Sequence, residues 1–180
     1  NNGLALSFVA AAPAVTGPDY PHSFRTTLTS IMNVAPSIEY LVTEKGAKKI
    51  AYLGRNDDWG RSAGEAIRST AARLGAEVVV EEYFDTGSTD FYGLLTKIRA
   101  SEPDAVVGGA FIEDGVSMIK QYRELQMAQD FLSIAVIWGS PTFLKSAGDA
   151  VEGIYISSGP TTSSTPEIQA FKEQYKADTG

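Results

Sequence analysis

The stretch from Lys49 to Leu74, KIAYLGRNDDWGRSAGEAIRSTAARL, decides the fold of this chain. It begins with an apolar run over 49–53, continues through a polar, turn-prone segment over 54–58, and ends in apolar side chains at helical spacing. This pattern is typical of a buried strand, a loop at its carboxyl end, and a helix that packs back onto the sheet. In open parallel sheets such loops form the ligand crevice. Trp59 stands at the end of this loop.

The same unit repeats downstream, so apolar runs alternate with helical patterns. The predicted strands are 49–53, 77–84, 105–110, 131–136 and 153–157. This alternation predicts an α/β fold with a doubly wound parallel sheet, in Rossmann-like or flavodoxin-like order, covered by helices on both faces.

Helical patterns also flank these strands. One lies before the first strand, over about 31–42, and Pro36 inside it should kink or restart the helix. Another follows the last strand, where Thr165 is the predicted N-cap. Its apolar residues Ile168, Phe171 and Tyr175 are predicted to face inward.

The composition excludes several classes of function. A net charge of −7 and a pI near 4.7 argue against nucleic acid as a partner, because nucleic-acid binders usually present a basic face. The absence of cysteine excludes disulfides, thiolate metal sites and cysteine nucleophiles. No apolar stretch approaches the roughly 18 residues that a membrane span needs.

Enzyme motifs are missing. No Gly-x-Gly-x-x-Gly or phosphate-binding loop follows the first strand, and His22, the single histidine, has no Gly-x-Ser-x-Gly motif to accompany it. Asp57 and Asp58 are explained as an acidic helix start. We therefore expect no catalytic residues, no metal site and no cofactor.

The loops after the first, third and fourth strands should meet at the switch point of the sheet. They bring Trp59, Phe111 and Trp138 to one rim, although each ring alone could equally be a core residue. Three aromatic residues with polar neighbours predict a mostly apolar small-molecule cleft. Glu113 and Asp114, at the end of the third strand, could touch the ligand or simply start a helix.

The amino-terminal part does not fit the repeating unit. Residues 4–9 are predicted to form a buried strand. We interpret 1–28 as a strand and crossover segment from a neighbouring first lobe, 29–160 as the second-lobe α/β ligand-binding domain, and 161–180 as a helix leading back towards the hinge. We accordingly expect the chain to be a fragment of a longer protein.

At this point the chain resembles a family, the leucine/isoleucine/valine-binding proteins, which are type I periplasmic solute receptors of ABC importers. The matching segments follow the family in order over essentially the whole chain: 10–26, AKKIA at 47–51, DDWG at 57–60, TDF at 89–91, 94–95, 97–98, PDAV at 103–106, IKQ at 119–121, 143–144, AGDA at 147–150 and 152–153. The resemblance implies two lobes that close on a ligand by a hinge.

The resemblance also implies ligand positions. Trp59 and Phe111 stand where the family places aromatic residues that cover the ligand. Ala10 and Ala11 stand in the first-lobe loop that offers backbone oxygen to an amino acid, although the usual hydroxyl of threonine is missing at Ala11. Val136 stands about where the family has the acid that pairs with the ligand ammonium, which is a large departure.

A buried ammonium without an anionic partner is costly. We therefore predict that the ligand is an aromatic or branched apolar carboxylate rather than a plain α-amino acid. Glu113 or Asp114 could replace the missing acid, which keeps an amino acid ligand open.

The implied partner is an ABC permease in the membrane, and the implied location is periplasmic or extracellular, with a lipid anchor as one alternative. An amino-acid or amide sensor of the same fold is the alternative function, and an α/β enzyme is a third.

Overall fold

The computed structural model describes residues 3–8, 10–158 and 165–180. Its strands are β1 (Ala5–Ser7), β2 (Ser23–Arg25), β3 (Lys49–Arg55), β4 (Glu77–Phe84), β5 (Ala105–Gly109), β6 (Asp130–Ser133) and β7 (Tyr155–Ile156). Its α-helices are α1 (Ser30–Thr43), α2 (Asp58–Arg73), α3 (Tyr92–Ala100), α4 (Ile112–Glu124), α5 (Pro141–Ala147) and α6 (Pro166–Thr179). Short 3-10 helices span Pro13–Val15, Val136–Gly139 and Gly148–Val151.

Five parallel strands form the main sheet in the order β4-β3-β5-β6-β7. Counted from β3, this is the flavodoxin-like order, with the second strand outside the first. The predicted α/β class and doubly wound parallel sheet are therefore confirmed. Because the order reverses between β3 and β5, the loops that follow these two strands lie on either side of the switch point.

Side chains of β3 alternate between two apolar cores because successive strand residues point to opposite faces. Ala51 and Leu53 join the core that contains α3, α4 and α5. Ile50 and Tyr52 join the core that contains α1 and α2. Helices thus cover both faces of the sheet, which explains why β3 reads as an uninterrupted apolar run.

Two helical predictions have different outcomes. α1 is one helix from Ser30 to Thr43, so it does not restart at Pro36. Thr165 does cap α6, and its side chain accepts a hydrogen bond from the Ile168 N–H.

Two predictions of burial are wrong. Leu4, Leu6 and Phe8 are exposed, and β1 forms only a two-stranded parallel sheet with β2; Val9 lies outside the described residues. Phe171 and Tyr175 of α6 are also exposed, at 69% and 60%. Periodicity shows that a face is apolar but does not show what covers it, and nothing in the described part of the chain covers these faces.

Candidate ligand-binding cleft

A cavity of about 640 Å³ opens at the carboxyl ends of β3, β5 and β6. Its lining residues share one property, the absence of formal charge: Phe8, Ala10, Ala11, Thr26, Thr27, Leu28, Ser30, Asn33, Val34, Trp59, Phe111, Ile134, Ala135, Val136 and Ile137. The polar side chains all come from the segment 26–33, whereas the β3, β5 and β6 ends supply rings and aliphatic groups. The cleft therefore has a hydrogen-bonding side and an apolar side.

Trp59 and Phe111 form a stacked aromatic pair in the cleft. Their rings are stacked, with centroids 5.1 Å apart and an interplanar angle of 15°. Trp59 is half-buried, and Phe111 is 44% exposed, so both keep a surface that a ligand can contact. The structure thus brings together two of the three predicted rings.

Trp59 is placed by the start of α2. Asp57 caps this helix and accepts a hydrogen bond from the Gly60 N–H at 2.8 Å. Gly60 is required there, because a Cβ atom would lie 2.0 Å from the Arg55 carbonyl oxygen. Beneath the loop, the Tyr52 hydroxyl donates to the Gly60 carbonyl at 2.8 Å. Burial raises the pKa of Tyr52, so the phenol remains a proton donor.

The prediction that Trp138 belongs to the rim is wrong. Its side chain is fully buried and stacks on Phe131 and Phe143, with centroids 5.6 Å and 4.5 Å away. Its indole N–H donates to the Ala110 carbonyl at 2.8 Å. The 3-10 helix that follows β6 turns the ring inward, where Gly115 of α4 leaves space for it. Trp138 is a core residue.

Ala10 and Ala11 line the cleft, but their carbonyl oxygens already have donors. The Ala11 oxygen accepts from the Ser30 N–H at 2.9 Å, the Ser30 hydroxyl at 3.1 Å and Arg25 Nη1 at 3.2 Å. The Ala10 oxygen accepts from Arg25 Nη1 at 3.4 Å. Because a carbonyl oxygen has two lone pairs, the Ala11 oxygen has no capacity left for a ligand ammonium.

The acids near β5 do not reach the cleft. Glu113 is exposed and lines a neighbouring cavity of about 360 Å³ instead. Asp114 is 4% exposed, accepts from the Gly87 N–H at 2.9 Å and pairs with Arg55 at 3.9 Å. In this arrangement neither Glu113 nor Asp114 replaces the acid that is missing at Val136, which is 51% exposed on the cleft wall.

Sequence reasoning missed two arginines, Arg25 and Arg55. Arg25 of β2 holds the loop 10–13 by donating to four successive carbonyl oxygens. Arg55, at the end of β3, lies with its guanidinium carbon 4.5 Å from the centroid of the Phe111 ring. An arginine that ends a buried strand two residues before an aspartate at a helix start was the available signal, but the segment 54–58 was interpreted as a turn with an acidic helix start, and Arg55 was given no role.

Residues 3–8, 10–158 and 165–180 contain no group of three or more histidine, aspartate or glutamate side chains that could hold a metal ion. None of the helices among them combines the length and apolarity needed to cross a membrane.

Comparison with known proteins gives a consistent result. A family model described as periplasmic binding protein matches residues 1–180. An amino acid binding protein of Pseudomonas aeruginosa is 28% identical over 182 residues, which cover 97% of this chain and 47% of that relative. The chain spans about half the length of the relatives it matches.

Solved structures share the fold. The leucine-, isoleucine-, valine-, threonine- and alanine-binding protein of Brucella ovis, in a closed conformation, aligns with a TM-score of 0.82 at 22% identity, over 98% of this chain and 46% of that chain. An ABC transporter solute-binding protein of R. palustris in complex with 4-hydroxybenzoate aligns with a TM-score of 0.72 at 24% identity, over 89% and 44% of the two chains.

Proposed function

We propose, from the premise that this chain belongs to the periplasmic binding protein family, that the protein is an extracytoplasmic solute-binding receptor of an ABC importer. It binds a small apolar or aromatic carboxylate between two hinged lobes and hands it on chemically unchanged. Its partner is a membrane permease of the branched-chain amino acid type. The observation that carries the ligand class is the uncharged lining of the cleft.

An ammonium group would be poorly bound in this cleft. It needs an anion to offset its charge, but no carboxylate among the described residues lines the cleft, and the Ala11 carbonyl is already saturated by donors. The acceptors that remain, the hydroxyls of Thr26 and Thr27 and the carboxamide oxygen of Asn33, carry no formal charge. Leaving an ammonium unpaired in a closed site costs on the order of several kcal/mol. An α-amino acid is therefore disfavoured.

A carboxylate, in contrast, finds hydrogen-bond donors in the lining of the cleft. Hydroxyl groups of Thr26 and Thr27 and the carboxamide of Asn33 lie on one side of the cleft and can all donate hydrogen bonds. Trp59 and Phe111 on the other side suit an aromatic or branched apolar group. That a protein of this fold has been solved with 4-hydroxybenzoate supports the ligand class.

The lobe assignment is part of the proposal. We assign residues 1–28 to the first lobe, 29–160 to the second lobe and 161–180 to a helix leading back towards the hinge. The exposed apolar side chains in and next to β1 and β2, which are Leu4, Leu6 and Phe24, support it, because such a face needs a cover of further chain. Relatives about twice as long as this chain have the residues for that cover.

A pair of ligands with the same carbon skeleton tests the ligand class. Leucine and 4-methylpentanoate differ only by the ammonium group, so calorimetric titration of the intact gene product with both isolates its effect. Endogenous ligand is first removed by unfolding and refolding, and benzoate and 4-hydroxybenzoate are titrated in parallel. We expect each acid to bind at least about tenfold more tightly than leucine, equivalent to about 1.4 kcal/mol. Tighter binding of leucine would contradict the ligand class.

A further inference from the structure

Arg55 lies beside the cleft without lining it. Its side chain is 14% exposed and faces the smaller cavity of about 360 Å³. Its Nη2 donates to the Thr86 hydroxyl at 2.6 Å. Its guanidinium also lies over the ring of Phe111 in cation–π geometry. A largely enclosed cation that touches a ligand-facing ring can control the position of that ring.

The two anions that Arg55 pairs with belong to the helices that carry the two rings. Asp57, 3.0 Å from Arg55 Nε, caps α2, whose first turn contains Trp59. Asp114, 3.9 Å from Arg55 Nη1, lies in the first turn of α4, whose N-cap is Phe111. One guanidinium therefore connects both helix starts and fixes the two rings relative to each other.

Phe111 separates two cavities. Phe111 and Ile137 both line the cleft of about 640 Å³ and the cavity of about 360 Å³. Trp59 lines only the first and Arg55 only the second. The Phe111 ring therefore forms the aromatic part of the wall between them, and its position limits how far a ligand can extend from the cleft.

We propose that Arg55 is a positioning residue that holds Phe111 in place as this wall and thereby restricts the cleft to short carboxylates with a single ring or a single branched chain. This inference rests on the proposed function for the ligand, but the position of the rings can be tested without any ligand. The planar guanidinium is essential to it, since only a flat, forked cation can stack on Phe111 while it donates a hydrogen bond to Thr86 and forms an ion pair with Asp57.

The binding test compares benzoate with biphenyl-4-carboxylate in the intact gene product. Arg55→Lys retains the charge that Asp114 needs but loses the planar stacking surface. We expect it to shift the ratio of the two dissociation constants by about tenfold towards the longer acid, the size expected when a cation–π contact and its geometry are lost. Phe111→Ala, which removes the aromatic part of the wall, should shift the ratio further in the same direction.

Arg123→Met is the matched control. The Arg123 guanidinium lies 5.8 Å from the Tyr122 ring and donates to the Ala150 carbonyl at 3.1 Å, away from the cleft. It should lower stability without changing the ratio. If the ratio also shifts in Arg123→Met, the effect of Arg55→Lys comes from a general loss of stability, and the proposal is overturned.

A second measurement does not depend on a ligand. With 5-fluorotryptophan, the ¹⁹F resonance of Trp59, assigned by Trp59→Phe, reports the ring current of Phe111. We expect Arg55→Lys to move this resonance towards its position in Phe111→Ala, and Arg123→Met to leave it in place. An unchanged resonance in Arg55→Lys would overturn the positioning role. If the wild-type protein binds neither acid but the resonance moves as expected, the ligand class fails while the positioning role stands.

Discussion

The two tryptophans show how similar sequence contexts lead to different environments. Trp59 follows β3 and Trp138 follows β6, the two strands on either side of β5. Trp59 remains half-buried on a ligand-sized cleft, whereas Trp138 is fully enclosed. The difference comes from their neighbours. Gly115 leaves space for the Trp138 indole, and the Ala110 carbonyl accepts its N–H. The Asp57 cap instead keeps Trp59 at the edge of the sheet.

The largest effect is expected from removing the buried ring. Trp138→Ala should lower the free energy of unfolding by about 3–5 kcal/mol, because it leaves a cavity and an unpaired carbonyl at Ala110. Trp59→Ala should cost about 1 kcal/mol, the order of one exposed aromatic pair. Urea denaturation of both variants measures this contrast, and equal losses would contradict the assignment of core and rim.

Gly115 tests the same contrast from the side of the helix. A Cβ atom at this position would lie 2.7 Å from three atoms of the Trp138 indole. Gly115→Ala should therefore lower the free energy of unfolding by about 1–3 kcal/mol. Gly93 of α3 is the matched control, since a Cβ atom there meets nothing within 4 Å. Gly93→Ala should be neutral or stabilise by up to about 1 kcal/mol, and the opposite ranking would contradict this packing.

A charge introduced on the cleft wall should change the ligand preference of the cleft without disturbing the packing of the core. Val136→Glu places an anion where the cleft has none, and the 51% exposure of Val136 lets the side chain fit. We expect carboxylates to bind about tenfold more weakly and leucine to bind more tightly, because the anion repels the first and pairs with the ammonium of the second. Leu144→Glu, on α5, controls for added surface charge. Unchanged affinities in Val136→Glu would place the ligand elsewhere.

The smallest effect is expected on stability, from hydrogen bonds at the amino-terminal end of β3, opposite the cleft. The Asp104 carboxylate accepts from the backbone N–H groups of Lys48 and Lys49 at 2.7 Å and 2.8 Å. These bonds lower the pKa of Asp104 below its ordinary value of 3.8. A lowered pKa in the folded state stabilises the protein above pH 3.8, and that contribution is lost as the pH falls through the lower, folded-state pKa.

Asp104→Asn should therefore lower the Tm slightly at pH 7, and the difference from the wild-type protein should shrink below pH 3.8. Thermal unfolding from pH 2.5 to 7 measures it, with the ligand affinity at pH 7 as the control for the distant cleft. A difference that grows towards acid pH would contradict the role of these hydrogen bonds.

Much of the fold could be predicted because local patterns determine it. The apolar run of β3 and the helical spacing of α2 reflect burial on both faces of a parallel sheet. Such a pattern can be recognised within one short stretch of sequence. The aromatic pair of Trp59 and Phe111 could be predicted for the same reason, since strand ends meet at one edge of the sheet.

The parts that could not be predicted depend on contacts between distant residues. Trp138 carries the same signal as Trp59, and only the space at Gly115 separates core from rim. The carbonyl bonds of Arg25 and the contact between Arg55 and Phe111 have no sequence pattern, because each joins segments that the fold brings together. The exposure of Phe171 likewise depends on what covers α6.

The most direct test is a crystal structure of the intact gene product with the tightest-binding acid. We expect the apolar group of the ligand against Trp59, Phe111 and Val136, and its carboxylate near Thr26, Thr27 or Asn33, with no protein carboxylate within hydrogen-bonding distance. A ligand whose charged group pairs with Glu113 or Asp114, or that lies away from the two stacked rings, would contradict an uncharged cleft that selects acids without an ammonium group.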